Sequence, residues 1–290
     1  MRLVMKTYPV KLRNVISKMK ESAQEALTNK VSRMEVELPP AADYGVEKGG
    51  VFDNLPELEK VKRSNREAAR LFTEMFSMLG STTVVLFTTE AEARAAKTSF
   101  KGFSGQCLSI DSAGKSAKGF SNLRSRRFTA EEQEAALLGS DGVYVPEDTE
   151  VLIIPSPRAK DFKKIKRIHE KFGEGTVIIL LNARVDAVEI LSGKEESEFD
   201  WVRDSFQPVF FYTPPIVVNS QGTGEELPDH LLYYEFKDKM WYIAKNEKGG
   251  DSNLLSVLGG GSNPFKTLIS SETRMSGVEL RDKLEGESMG

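Results

Sequence analysis

The chain has 290 residues, 39% hydrophobic and 29% charged, with 40 basic against 43 acidic side chains and a formal net charge of −3. That length suits one large α/β domain or two small ones, and so even a charge balance argues against a dedicated nucleic-acid binder, whose domain would be strongly basic. No apolar run approaches the roughly 20 residues that cross a bilayer, and a single cysteine, Cys107, allows neither an internal disulfide nor a thiolate metal site.

At the N-terminus, MRLVMKTYPVKLRNV has neither the apolar core nor the small-residue cleavage site of a secretory signal, so none is expected. Pro9 is placed to open a helix. Leu12, Val15, Ile16, Met19, Ala23, Ala26 and Leu27 then recur at three- and four-residue steps, which predicts a one-faced amphipathic helix. In VSRMEVEL (31–38), Met34, Val36 and Leu38 alternate with Arg33, Glu35 and Glu37, the pattern of a strand with one face in the core and one in water. Pro39-Pro40 ends it. A helix is expected over 56–79, with Leu58, Val61, Phe72, Met75 and Leu79 among its inward residues and Gly80 as its stop. TTVVLFT (82–88) predicts a β-branched strand, and a short helix follows at 90–97.

Residues 98–128 are rich in Gly, Ser and basic side chains and read as a long loop around one short strand, 106–110. Gly114-Lys115-Ser116 resembles the end of a phosphate loop. Ser109, however, stands where the leading glycine belongs, and no helix start follows, so the donors that hold phosphate are missing. Arg124, Arg126 and Arg127, with aromatic Phe120 and Phe128 nearby, form a basic patch. It suits an anionic surface, a protein partner or stacked RNA bases, and equally plain solvation. TAEE from Thr129 is a capping-box pattern that opens a helix to Leu138.

The most organised stretch is TEVLIIPSPRAKDFKKIKRIHEKFGEGTVIILLNARVD (149–186): buried strand, Pro-marked turn, amphipathic helix, glycine stop, second buried strand. This βαβ pattern predicts a parallel sheet covered by helices. Sites on such sheets lie beyond the carboxyl ends of the strands. The candidate ligand or partner residues are therefore Pro155, Ser156, Arg158, Asn182 and Arg184, together with the basic patch. The plainer reading of Asn182 is that it satisfies loop backbone, and of Arg184 that it pairs with a nearby acid such as Asp186. His230 follows Asp229 without any accompanying nucleophile motif, and two histidines exclude a three-His zinc site. No catalytic residue, metal or cofactor is assigned. Strand 208–212 and a hairpin over 231–245 follow. From Gly249 the Gly/Ser-rich chain reads as a mostly mobile tail with weak helical content near 277–284. The expected architecture is a Rossmann-like three-layer α/β domain over 8–248, its sheet largely parallel or mixed, with a C-terminal β-hairpin and a flexible tail at 249–290.

The blocks SAQEALTNKVSRMEVELPP (22–40), EAARLFTEMF (67–76), TTVVLF (82–87), DTEVLIIPSP (148–157), GTVIILLNARVD (175–186), FQPVFFYTPP (206–215) and LYYEFKDKMWYIAKN (232–246) occur in that order. In this the chain resembles the plastid and cyanobacterial family called domain of unknown function nineteen-ninety-five, over about residues 8–246. Ala183 stands where the family favours proline. The resemblance implies a peripheral chloroplast protein of the stroma or the stromal face of the thylakoid. It implies a non-catalytic accessory or assembly factor of the photosynthetic apparatus, with photosystem core or antenna subunits and other assembly proteins as partners. It carries over no catalytic residue. The alternative is a small-molecule or nucleotide-binding α/β enzyme using the crevice near Pro155, Ser156, Asn182 and Arg184. A third class, an RNA-binding accessory protein, would depend on Arg124, Arg126 and Arg127.

Overall fold

The computed structural model describes residues 6–44, 52, 54–111, 145–192, 199–219, 223–247 and 264–288. In chain order the elements begin α1 (Leu12–Thr28), β1 (Arg33–Glu37), α2 (Glu57–Met75), β2 (Thr83–Phe87), α3 (Glu90–Ser99), β3 (Gln106–Ser109), β4 (Val151–Pro155), α4 (Phe162–Lys171) and β5 (Val177–Leu181). They continue with α5 (Val185–Ser192), α6 (Asp200–Ser205), β6 (Gln207–Thr213), β7 (Ile216–Val218), β8 (Gly224–Glu226), β9 (His230–Glu235), β10 (Trp241–Asn246), β11 (Phe265–Ser271) and α7 (Gly277–Ser288). The phosphate-loop-like triplet, Arg124, Arg126, Arg127 and the helix expected from Thr129 lie outside the described residues. By its internal packing the chain divides into two units: Ala69–Leu180, and the flanking segments Met1–Ala68 with Leu181–Gly290.

The unit Ala69–Leu180 holds the βαβ pattern. Its strands lie in the order β5-β4-β2-β3, and β2 runs parallel to both β3 and β4. All five residues of β4 are buried, as expected of a strand covered on both faces. Phe162, Ile165 and Ile168 of α4 are buried, while Lys163, Lys166 and Arg167 between them are not, so the helix presents one apolar stripe. Thr89 caps α3 by accepting a hydrogen bond from the Glu92 backbone N–H, and Glu90 and Glu92 sit in its first turn where the helix dipole favours acids.

The helix expected to run to Leu79 stops at Met75, and a 3₁₀ segment, Ser77–Thr82, replaces its last turn. The hydroxyls of Thr82 and Thr83 both donate to the Leu79 carbonyl and stabilise this tighter winding. Met78 is left almost fully exposed, so the apolar stripe outruns the core. Gly105 precedes β3 at a close backbone approach: a Cβ there would lie 2.1 Å from the Thr83 carbonyl oxygen and 2.5 Å from that of Gly80. Since backbone cannot give way as a side-chain tip does, Gly105→Ala is expected to lower stability by about 1–3 kcal/mol in urea unfolding. An unchanged midpoint would show that this turn relaxes freely.

In the other unit the strand order is β11-β10-β9-β6-β1. Strands β1 and β6 are parallel, and β9 pairs antiparallel with β6 and with β10, which is the expected hairpin. The mixed α/β class read from the sequence therefore holds in each unit: a parallel sheet in one, a mixed sheet in the other. Helix α1 begins at Leu12, three residues later than Pro9 suggests, and ends in a Schellman motif. Val31 N–H donates to the Ala26 carbonyl and Lys30 N–H to that of Leu27, with Lys30 at φ 61°.

Two expectations are corrected in this unit. Strand β1 is not half-solvated: all five residues are buried, Glu35 and Glu37 to 1% exposure each. Nor is the C-terminal segment a mobile tail throughout. Strand β11 pairs antiparallel with β10, and Leu280 of α7 packs with Val217, Ile243 and Ile269. Composition averaged over 249–290 hid an ordinary strand whose Phe265 and Ile269 are buried. Among the described residues, no helix is long and apolar enough to cross a membrane.

Candidate functional site

Strands β1 and β6 end side by side, and their parallel register places Phe211 opposite Glu37. Thr213 lies two residues further along β6, on the same face as Phe211. Glu37 and Thr213 are thus the last residues of neighbouring parallel strands, the position at which open α/β sheets form their crevices. A small cleft of about 30 Å³ opens here, lined by Glu37, Thr213 and Phe211, by Arg184 and Asp186 at the start of α5, and by Arg274 between β11 and α7.

Arg274 organises its charge. The guanidinium donates to both Glu35 oxygens at 2.6 and 3.2 Å and, through Nε, to Asp186 Oδ2 at 3.0 Å. It also lies over the rings of Phe211 and Trp241, 4.9 and 5.4 Å from their centroids. Burial disfavours its charge, but Asp186 and Glu35 more than reverse this and hold its pKa above the ordinary value. Arg203 of α6 adds a second clamp, donating to Asp186 Oδ1 at 3.1 Å and to Glu189.

Glu37 is different. Its Oε1 accepts the Arg184 backbone N–H at 2.5 Å, while Oε2 has no partner among the described residues. Burial, reinforced by the Glu35 charge, pushes its pKa up to about 8 against the opposing pull of Arg184 and Arg274. At neutral pH it is mainly a carboxylic acid. Thr213 Oγ1, also buried, likewise lacks a partner among the described residues.

Of the residues singled out in the sequence, the structure brings Asn182 and Arg184 to the carboxyl end of β5. Both adopt left-handed backbone, φ 50° and 46°. This turn aims the Asn182 amide inward: Oδ1 accepts from Leu38 N–H at 2.6 Å and Nδ2 donates to Asn65 Oδ1 at 2.7 Å. Arg184 reaches the cleft and donates weakly to Glu226 and to the Pro214 carbonyl at 3.2–3.3 Å. Pro155, Ser156 and Arg158 belong to the other unit. Ser156 also has a positive φ, 48°. Arg158 joins Thr88 O, Asp111 and Asp161, tying the end of β4 to the loops after β2 and β3. Cys107 is buried, and burial pushes its thiol up to about 11. His230 Nδ1 lies 2.6 Å from Asp229 Oδ1. No cluster of three or more His, Cys, Asp or Glu among the described residues is placed to hold a metal ion.

Sequence reasoning missed Glu35, Glu37, Thr213 and Arg274. The signal available for the first two was that the polar face of β1 carries charges of both signs over five residues, too few to read against simple solvation. Arg274 gave no local signal, since its partners lie 88 and 239 residues away.

The fold and the cleft define a mixed α/β protein with a polar crevice beyond the carboxyl ends of parallel strands. The chain belongs to the family described as a domain of unknown function (DUF1995), whose model matches residues 9–258. The segment that carries Arg274 therefore lies beyond the matched region. No curated protein and no solved structure matches the chain.

Proposed function

We propose that this protein is a non-catalytic accessory or assembly factor of the photosynthetic apparatus, working at the stromal face of the thylakoid in the chloroplast. The likeness of the sequence blocks to plastid and cyanobacterial members supports the reading; the family match itself is to a domain of unknown function. The observation that carries it on the structural side is how the charged groups at the strand ends are used. Arg274 is bound by Glu35 and Asp186, Arg203 by Asp186 and Glu189, and Arg158 by Asp111 and Asp161. These ion pairs tie loops and helices to interior strands and to one another, and a surface fixed in this way suits meeting another protein.

Affinity capture from photosynthetic membranes at moderate salt, followed by mass spectrometry, tests this. Photosystem core or antenna subunits, or other assembly proteins, are expected to co-elute reproducibly. Recovery of none of them, with the protein free in the soluble fraction, would overturn the reading.

A further inference from the structure

Two buried groups of the cleft, the Glu37 carboxyl and the Thr213 hydroxyl, each have an oxygen without a partner among the described residues, and such groups call for an explanation. Glu37 Oε1 takes the Arg184 N–H, so in the acid form its proton sits on Oε2, which has no partner among the described residues. Thr213 Oγ1 is in the same state. Both groups can donate, and both residues line one cleft. The remaining groups there favour an acceptor too. Arg184 is partly exposed, and its ion pair is with Glu226, itself 41% exposed, at 3.3 Å, so it can turn to a stronger partner. The N-terminal turn of α5 adds a positive dipole end. Of the acids around the cleft, Glu35 and Asp186 are already bonded to Arg274, and Glu226 pairs with Arg184.

From this geometry we infer that the cleft is a binding site for the carboxylate of a short aliphatic acid, with Glu37 Oε2 and Thr213 Oγ1 donating to its oxygens and Arg184 closing over them. The size fits. A space of about 30 Å³ holds two waters, at about 10–15 Å³ for each, and so has room for the two oxygens of one carboxylate. Phe211, Ile216 and Leu232 supply an apolar wall for the chain of the acid. The inference does not rest on the accessory-factor reading.

Binding on this design requires the acid form of Glu37. Glu35, Arg184, Asp186 and Arg274 face that carboxyl or line its cleft, and Glu37 loses its proton near pH 8. Affinity is therefore retained below that value and lost above it.

The test is an amide NMR titration of the full chain with butyrate at pH 7 and pH 9, with butyramide as control. Saturable shifts are expected at Arg184 and Thr213 with butyrate alone, and affinity falling about tenfold between the two pH values as the acid form is depleted. Glu37→Gln keeps a donor at the same place and is expected to bind butyrate equally at both pH values. Thr213→Val is expected to weaken binding about tenfold, the loss of one hydrogen bond to a charged group. Absence of saturable binding to the native chain at pH 7, equal binding of butyramide, or affinity that is the same at both pH values in the native chain would each overturn the inference, whatever the folding of the variants.

Discussion

Arg274→Met is expected to destabilise the unit that contains it by about 3–5 kcal/mol, the usual consequence of removing one partner of a buried ion pair. Glu35 is the reason the effect is so large. It is 1% exposed and takes both of its strong hydrogen bonds from Arg274. Without the guanidinium it is a buried carboxylate that has lost both of these bonds. Methionine keeps much of the volume over Phe211 and Trp241, so the loss reports charge rather than a cavity. Arg274→Lys is expected to recover less than half, because an ammonium can neither bond both Glu35 oxygens in a fork nor stack on the rings. In the double variant with Glu35→Met, most of the stability is expected to return, as when a whole buried pair is exchanged for apolar groups. Urea unfolding followed by tryptophan fluorescence is the measurement. Trp201 and Trp241 both lie in the unit concerned, so the signal stays readable even when two units do not unfold together. A loss below about 1 kcal/mol, the range of a surface pair, would show that Glu35 reaches water.

This pair also marks where sequence reasoning stops. The βαβ pattern, the 231–245 hairpin and the inward stripe of Phe162, Ile165 and Ile168 were legible because each is local: a period of 2 or 3.6 and a punctuating Pro or Gly within a few residues. The rule that crevices open beyond parallel strands singled out Asn182 and Arg184 by position; Arg184 lines the cleft, while Asn182 bonds Leu38 and Asn65. What alternation cannot tell is the medium each face meets. Arg33, Glu35 and Glu37 read as a wet face, whereas all three are buried, Glu35 against Arg274, which arrives from 239 residues away. Nor does local pattern show which segments pack together, since one of the two units is assembled from both ends of the chain.

Glu37→Gln is expected to stabilise the protein, by an amount that depends on pH in a defined way. In the unfolded chain Glu37 ionises near its ordinary 4.5, whereas in the fold burial and the Glu35 charge keep it protonated up to about 8. Between these values the native state holds a proton that the unfolded state has released. Native stability therefore falls as pH rises through this window and levels off above it. At about 1.4 kcal/mol for each pH step, the cumulative loss by pH 8 is on the order of 3–5 kcal/mol. Glutamine has the shape of the acid form and can still accept the Arg184 N–H, but it does not titrate. Urea midpoints for native and variant chains are thus expected to coincide near pH 4.5 and to separate progressively up to pH 8, with the variant the more stable. A separation that does not change with pH, or a variant that is weaker at pH 8, would mean that Glu37 is ionised in the fold and held as an ion pair by Arg184. The expected divergence bears on the cleft as well. A glutamate that weakens the fold near neutral pH, where glutamine would not, is a residue of the kind found where stability yields to function. Its second oxygen has no partner among the described residues, and the residue lines the cleft.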